Sequence, residues 1–178
     1  MSEQLVIAAI GEDRAGLVDT LSGWILECGG NIADSRMMAI GGQFAILLLV
    51  SGESDCLTKL ESQQDQTQKR IGMALHLKRT HSTEVAKKLL AFGVKVESLD
   101  HPGIVHGIAN FFSKRQINIH DLSTSTYSAA HSGAPMFCVR MTLDLPSDAP
   151  TQTLRQEFLA YCDQLNLDAS MEPLSKEH

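Results

Sequence analysis

Asp13-Arg14-Ala15-Gly16-Leu17-Val18 returns 87 residues later as Asp100-His101-Pro102-Gly103-Ile104-Val105, and Asn31-Ile32-Ala33-Asp34 returns at the same offset as Asn118-Ile119-His120-Asp121. Between residues 13 and 34, six of 22 positions are identical at this shift: Asp13, Gly16, Val18, Asn31, Ile32 and Asp34. Four more exchange apolar for apolar: Leu17 with Ile104, Leu21 with Ile108, Trp24 with Phe111, and Ile25 with Phe112. The identities gather at turn-like positions. A period of nearly half the chain marks a duplicated unit, and the fold follows from reading one copy.

Working outward, Leu5 to Ile10 is a short apolar run that predicts a strand. Asp13 is an N-cap type residue, and apolar positions 17, 18, 21, 24, 25 and 28 then mark one face of a helix. Gly29-Gly30-Asn31 predicts the helix end. Ile32 to Ile40 reads as a second strand, Gly41-Gly42 as a hairpin, and Gln43 to Val50 as a buried third strand. Residues 54–68 have the pattern of one polar helix with Leu57 and Leu60 inward, and Ile71 to Leu77 alternates as a fourth strand.

The second copy repeats the order. Val94 to Leu99 predicts a strand, Gly103 to Lys114 a helix, and Asn118 to Thr126 a strand. A loop from Ser128 to Pro135 precedes a strand over Met136 to Leu143. A helix follows over 151–165, with Leu154, Phe158, Leu159 and Cys162 inward, then a strand over Leu167 to Glu172. Twice β-α-β-β-α-β is the split pattern of ferredoxin-like units. The expectation is an α+β protein with two ferredoxin-like βαββαβ domains in tandem, each an antiparallel sheet with helices on one face. Domain one covers 1–78 and domain two 92–174. The linker over 79–91 carries a short helix around Val85, Leu89 and Leu90, and the terminal Ser175 to His178 is expected to be disordered.

Composition narrows the function. With 43% hydrophobic and 20% charged residues among 178, the chain is globular. Its longest apolar run, Phe44 to Val50, is too short to span a bilayer. No basic segment precedes an apolar stretch at the N-terminus, so a cytoplasmic location is expected. A net charge of −6 lacks the basic footprint of nucleic-acid binders. The cysteines Cys28, Cys56, Cys138 and Cys162 form no close pair, which argues against a zinc knuckle or redox motif. Cys28 and Cys138, set among apolar residues, read as small hydrophobes. His76, His81, His101, His106, His120, His131 and His178 show no metal-binding spacing, and no nucleophile elbow or P-loop is present. His120-Asp121 is a weak base-and-orienter pair, because neighbours on a strand point to opposite faces. No catalytic residue, metal site or cofactor is expected.

The duplicated Asp-x-x-Gly-Leu/Ile-Val loop before a helix, followed after it by Asn-Ile, resembles the ACT domain family over nearly the whole chain. The tract Glu97 to Val105, followed by Asn110-Phe111-Phe112, is similar more narrowly to tandem ACT regulators of transcription. That resemblance implies a non-catalytic regulatory module that binds an amino acid, often at an interface between paired domains. It further implies glycine as effector, a DNA-binding transcription activator as protein partner, a homodimer, and no direct contact with nucleic acid or membrane. A second reading is an amino-acid-binding regulatory subunit of a metabolic enzyme.

The physics of the loop agrees with anion binding. A chain leaving a strand to start a helix presents backbone N–H groups without intrahelical partners, in the positive field of the helix dipole. Such a start attracts a carboxylate. Gly16 and Gly103 let a ligand approach the backbone, or serve close packing. Asn31 and Asn118 offer a donor and an acceptor side by side, or only tolerate left-handed geometry after a helix. Asp13 and Asp100 either receive an ammonium or cap the helix. Arg14 adds a fixed charge able to pair with a carboxylate, where the second copy has His101 and a stiffening Pro102. The candidate ligand-binding residues are Asp13, Arg14, Gly16, Leu17 and Asn31 in the first copy, and Asp100, His101, Gly103, Ile104 and Asn118 in the second.

Overall fold

The computed structural model describes residues 3–81, 89–129 and 133–174. The chain divides into two compact units, Met1–Glu84 and Val85–His178. The first contains β1 (Glu3–Glu12), α1 (Leu17–Glu27), β2 (Asn31–Ile40), β3 (Gln43–Ser51), α2 (Ser54–Ser62), α3 (Gln64–Ile71) and β4 (Ala74–His81). The second contains β5 (Leu89–Leu99), α4 (Ile104–Ser113), β6 (Asn118–Ser128), β7 (Pro135–Pro146), α5 (Thr151–Gln164) and β8 (Asp168–Pro173). The sheets run β2-β3-β1-β4 and β6-β7-β5-β8, antiparallel throughout. Two α+β units of ferredoxin-like order are thus present, as the repeat implied. No helix among the described residues is long and apolar enough to cross a membrane.

Alternation builds each core. On β1 and β3, Leu5, Ile7, Ala9, Phe44, Ile46, Leu48 and Val50 are buried under Leu17, Leu21, Trp24 and Ile25 of α1 and Leu57 and Leu60 of α2. In the second unit Ile104, Ile108, Phe111 and Phe112 of α4 join Val94, Val96, Val139, Met141 and Leu143. There the Phe111, Phe112 and Phe158 rings meet at centroid distances of 4.9–5.3 Å. Gly41 and Gly42, at φ 58° and 75°, form a tight turn whose positive φ angles match the twist of the β2–β3 strands.

Several sequence expectations shift. Val18 is exposed rather than inward, since α1 covers the sheet with Leu17, Leu21, Trp24 and Ile25. Residues 54–68 do not form one helix. The path breaks at Gln63, whose Oε1 accepts the Trp24 indole N–H at 3.1 Å, and α3 restarts so that Thr67 and Ile71 are buried. Ile71 therefore ends a helix rather than opening a strand. Gly72, at φ 66°, turns the chain into β4, and burial of Ile71, Met73 and Leu75 across this junction mimics strand alternation. Of the expected linker, residues 79–81 belong to β4 and 89–91 to β5. The short helix around Val85 and the disorder of Ser175 to His178 fall outside the described residues. The left-handed residue after α1 is Gly29 rather than Asn31, and after α4 it is Gln116 rather than Asn118. Both ends are Schellman turns, with Gly30 N–H to Ile25 O at 2.9 Å and Ile117 N–H to Phe112 O at 3.1 Å.

Arg79 ties the first unit together. Its guanidinium meets Glu3 at 2.7 Å, Glu61 at 2.9 Å and the Thr58 hydroxyl at 2.9 Å. The hydrogen bond and charge of Arg79 hold the Glu61 carboxyl below the usual carboxylate range.

Leu21→Ala and Ile108→Ala each remove a fully buried aliphatic at equivalent positions of α1 and α4. Each is expected to lower stability by about 2–5 kcal/mol in urea unfolding; a loss under about 0.5 kcal/mol in both would contradict the assigned helix faces.

Candidate functional site

The loop that opens the first helix has the same backbone in both units. Gly16 (φ 88°, ψ 0°) and Gly103 (φ 99°, ψ −8°) occupy the N-cap positions of α1 and α4 in left-handed geometry. Their carbonyls accept the first helical N–H, from Thr20 and from Gly107, each at 2.9 Å. No side chain caps either helix start. The N–H groups of Leu17 and Val18, and of Ile104 and Val105, precede the first intrahelical bond and point along the helix axis toward the loop.

Asp13 and Asp100 are not caps, because each helix begins four residues after its aspartate. Their backbone N–H groups instead donate to the hairpin on the neighbouring strands, Asp13 to Gly42 O at 3.1 Å and Asp100 to Pro135 O at 3.0 Å. Both side chains are exposed. Leu17 and Ile104 are buried in the cores, so only their backbone can face a ligand. Arg14 donates to Ile71 O at 2.5 Å, closing the C-terminus of α3. The Nδ1 of exposed His101 lies 3.1 Å from Pro102 O.

Asn31 and Asn118 lie elsewhere. Asn31 pairs with Ser51, which faces Gln4 at the start of β1, whereas the Gly16 loop follows the end of β1. Asn118 likewise pairs with Asp144, far from the Asp100–Pro135 contact. The 11 residues of α1 separate the two ends by about 16 Å. Within one unit, the structure therefore does not bring the asparagine to the glycine loop.

The two helix starts differ in charge. Asp19 sits in the first turn of α1, opposing a second anion there, and the first turn of α4 has no acidic residue. His106 stands where the first copy has Asp19.

Other chemistry is sparse. His76, His81, His101, His106 and His120 are exposed, and His131 and His178 lie outside the described residues. His120 pairs with Asp144 at 3.2 Å rather than with Asp121, because a bulge between Ile119 and Asp121 interrupts the register. All four cysteines are buried and free. Burial raises the Cys28 and Cys56 thiols and pushes Cys162 up to about 11, which keeps them protonated and poor nucleophiles. Among the described residues, no His/Cys/Asp/Glu cluster is placed to hold a metal.

A groove of about 400 Å³ between α4 and α5 went unread in the sequence. Phe111 and Tyr161 form its floor, and Lys114, Arg115 and Glu157 form its rim. Arg115 lies 3.7 Å over the Phe111 ring and bonds Glu157 at 2.8 Å. The available signal was the exchange of Glu27 and Cys28 for Lys114 and Arg115 between the copies.

Comparison with known proteins adds to this geometry. The ACT domain family matches residues 3–78. The glycine cleavage system transcriptional repressor of Escherichia coli (strain K12) is 29% identical over 167 residues, covering 94% of this chain and 88% of that protein. The protein of the same name from Shigella flexneri gives the same values, 29% over 94% and 88%. The crystal structure of a protein assigned as a glycine cleavage system transcriptional repressor superposes with a TM-score of 0.74 at 28% identity, covering 99% of both chains. A protein from Galdieria sulphuraria shares the fold at a TM-score of 0.79 and 24% identity, over 98% of this chain and 100% of that one.

A Cβ added at Gly16 or Gly103 meets nothing within 4 Å, so backbone strain rather than crowding governs substitution. Gly103→Ala is expected to cost about 1–2 kcal/mol in chemical denaturation from the positive φ alone, and Gly103→Val more. An unchanged stability would show that the loop does not hold this conformation.

Proposed function

We propose that this tandem ACT-domain chain, which resembles the glycine cleavage system transcriptional repressor, is an amino-acid-responsive regulator that represses glycine cleavage transcription by contacting a protein activator. The observation that carries the reading is the pair of uncapped helix starts at Gly16 and Gly103, each presenting backbone N–H groups to an open loop. An amino-acid carboxylate is the natural occupant of such a start. A small effector such as glycine leaves room for close backbone approach, and exposed Asp100 or Asp13 on the same loop would receive its ammonium.

The second copy is the stronger candidate. The first turn of α4 carries no acidic residue to repel a carboxylate, whereas that of α1 carries Asp19. Pro102 stiffens the loop and lowers the ordering cost of binding. Arg14, the charged candidate of the first copy, is engaged with Ile71 O. Asn31 and Asn118 lie at the far ends of their helices, so the reading rests on the helix starts without them.

Regulation through protein contact fits the charge. A chain of net charge −6 is poorly suited to hold DNA by itself, so a DNA-binding activator is the partner this reading requires. Catalysis has no part in it.

Calorimetry of the full chain against glycine and larger amino acids is expected to give saturable heat for a small amino acid. Gly103→Val, which sets a branched side chain beside the exposed amides, should abolish binding at that loop, with circular dichroism confirming that the variant is folded. No heat with any amino acid contradicts the effector half of the proposal. Capture from native cells is expected to bring down a transcription activator; a biosynthetic enzyme instead would assign the chain to enzyme regulation.

A further inference from the structure

The two copies diverge on both sides of their sheets. On the open face, turned away from the helices, Ala8 and Ile10 of the first copy become Lys95 and Glu97, which pair at 2.8 Å. On the helical side the difference is a groove. In the first unit the crease between α1 and α3 holds about 160 Å³ and is lined chiefly by Glu27 and by polar side chains of α3. Its aromatic residue is engaged internally, since Trp24 is 2% exposed and its indole N–H donates to Gln63. In the second unit the crease between α4 and α5 widens to about 400 Å³, within the range of small-molecule sites. Three exchanges at the 87-residue offset accompany the widening: Thr20 becomes Gly107, Glu27 becomes Lys114 and Cys28 becomes Arg115.

We propose that the α4–α5 groove is a binding site for a small planar aromatic carboxylate, its ring stacked on Tyr161 and its carboxylate held by Lys114. Gly107 admits the tyrosine. A Cβ at position 107 would lie 3.0 Å from the Tyr161 hydroxyl, so glycine lets that side chain lie against α4, despite the stability a glycine forfeits inside a helix. Tyr161 packs on Phe111 at a centroid distance of 5.1 Å, and the Arg115 guanidinium covers Phe111 at 3.7 Å. Half-buried Tyr161 is thus the ring open to the groove, and a flat ring is its complement. The rim charges reduce to one. Arg115 bonds Glu157 at 2.8 Å and donates to Phe111 O at 3.0 Å, which answers both the carboxylate on the rim and the negative end of the α4 dipole. Lys114 has no anionic partner among the described residues. The Asn110 and Gln164 side chains line the groove and make no hydrogen bond among those residues either. One free ammonium and two free amides around an aromatic floor select a flat monoanion.

The groove is separate from the glycine loop. Gly103 opens α4 and Lys114 closes it, and the 10 residues between them span about 15 Å. An open groove with a single exposed ion pair supports modest affinity, so saturation is expected between micromolar and millimolar ligand.

Amide spectra of the full chain titrated with naphthoate test this, with circular dichroism confirming that each variant is folded. Saturable shifts are expected, concentrated at residues 110–115 and 160–164. Naphthamide, the same ring without the charge, should bind about fivefold or more weakly, as should cyclohexane carboxylate, the charge without the flat ring. Lys114→Glu places the first copy's residue at an exposed position and should weaken naphthoate about fivefold or more with the fold unaffected. Tyr161→Leu keeps an apolar side chain and should weaken it to a similar extent. No saturation by millimolar naphthoate, shifts concentrated elsewhere, equal affinity for naphthamide, or an affinity unchanged in either folded variant would overturn the inference. None of these outcomes depends on amino-acid binding at the Gly103 loop.

Discussion

Gly16 and Gly103 hold φ angles of 88° and 99° where each chain leaves its first strand and reverses into the helix that covers the sheet. An L residue resists this region by about 1–2 kcal/mol, so glycine is the economical choice. The reversal sets the rest. It lets Leu17 and Ile104 enter the cores as the first helical residues and aligns Leu21 and Ile108 over the sheet. It also ties the loop to the neighbouring hairpin through Asp13 and Asp100. Because glycine has no side chain, the helix start it opens stays uncapped, and one conformational requirement yields both the packing and a helix start whose first N–H groups have no intrahelical partner.

Duplication preserved this device and freed much else to diverge. Trp24 of the first core, anchored to Gln63, corresponds to Phe111 of an aromatic cluster in the second. The open faces diverged further, apolar on one sheet and a Lys95–Glu97–Tyr127 network on the other. The Lys95 and Tyr127 contacts hold the Glu97 carboxyl below its ordinary range, so that face stays charged in neutral solution. Residues that hold the reversal recur in register, and residues free of it have diverged.

The elements governed by local spacing were legible in the sequence. The α1 and α4 faces, the Gly41-Gly42 turn and the alternating β1 and β3 cores follow from periodicity and turn chemistry. What escaped depends on contacts distant in sequence. The break falls at Gln63, which accepts a hydrogen bond from Trp24, 39 residues away. Burial of Ile71, Met73 and Leu75 looks alike whether the backbone is helix end or strand. Asp13 looked like a cap because aspartate before an apolar helix usually is one, yet its N–H belongs to the hairpin. The candidate site was legible as a list of residues but not as an arrangement, because the sequence does not reveal that Asn31 and Gly16 occupy opposite ends of one helix.

The central claim is that the two glycine-opened helix starts receive an amino-acid carboxylate. Backbone amide spectra of the full, isotopically labelled chain titrated with glycine test it most directly. The account predicts saturable shifts concentrated at the amides of Gly103 to His106, with weaker changes at Gly16 to Asp19. Amide spectra unmoved at both loops, or shifts confined to residues remote from them, would contradict it.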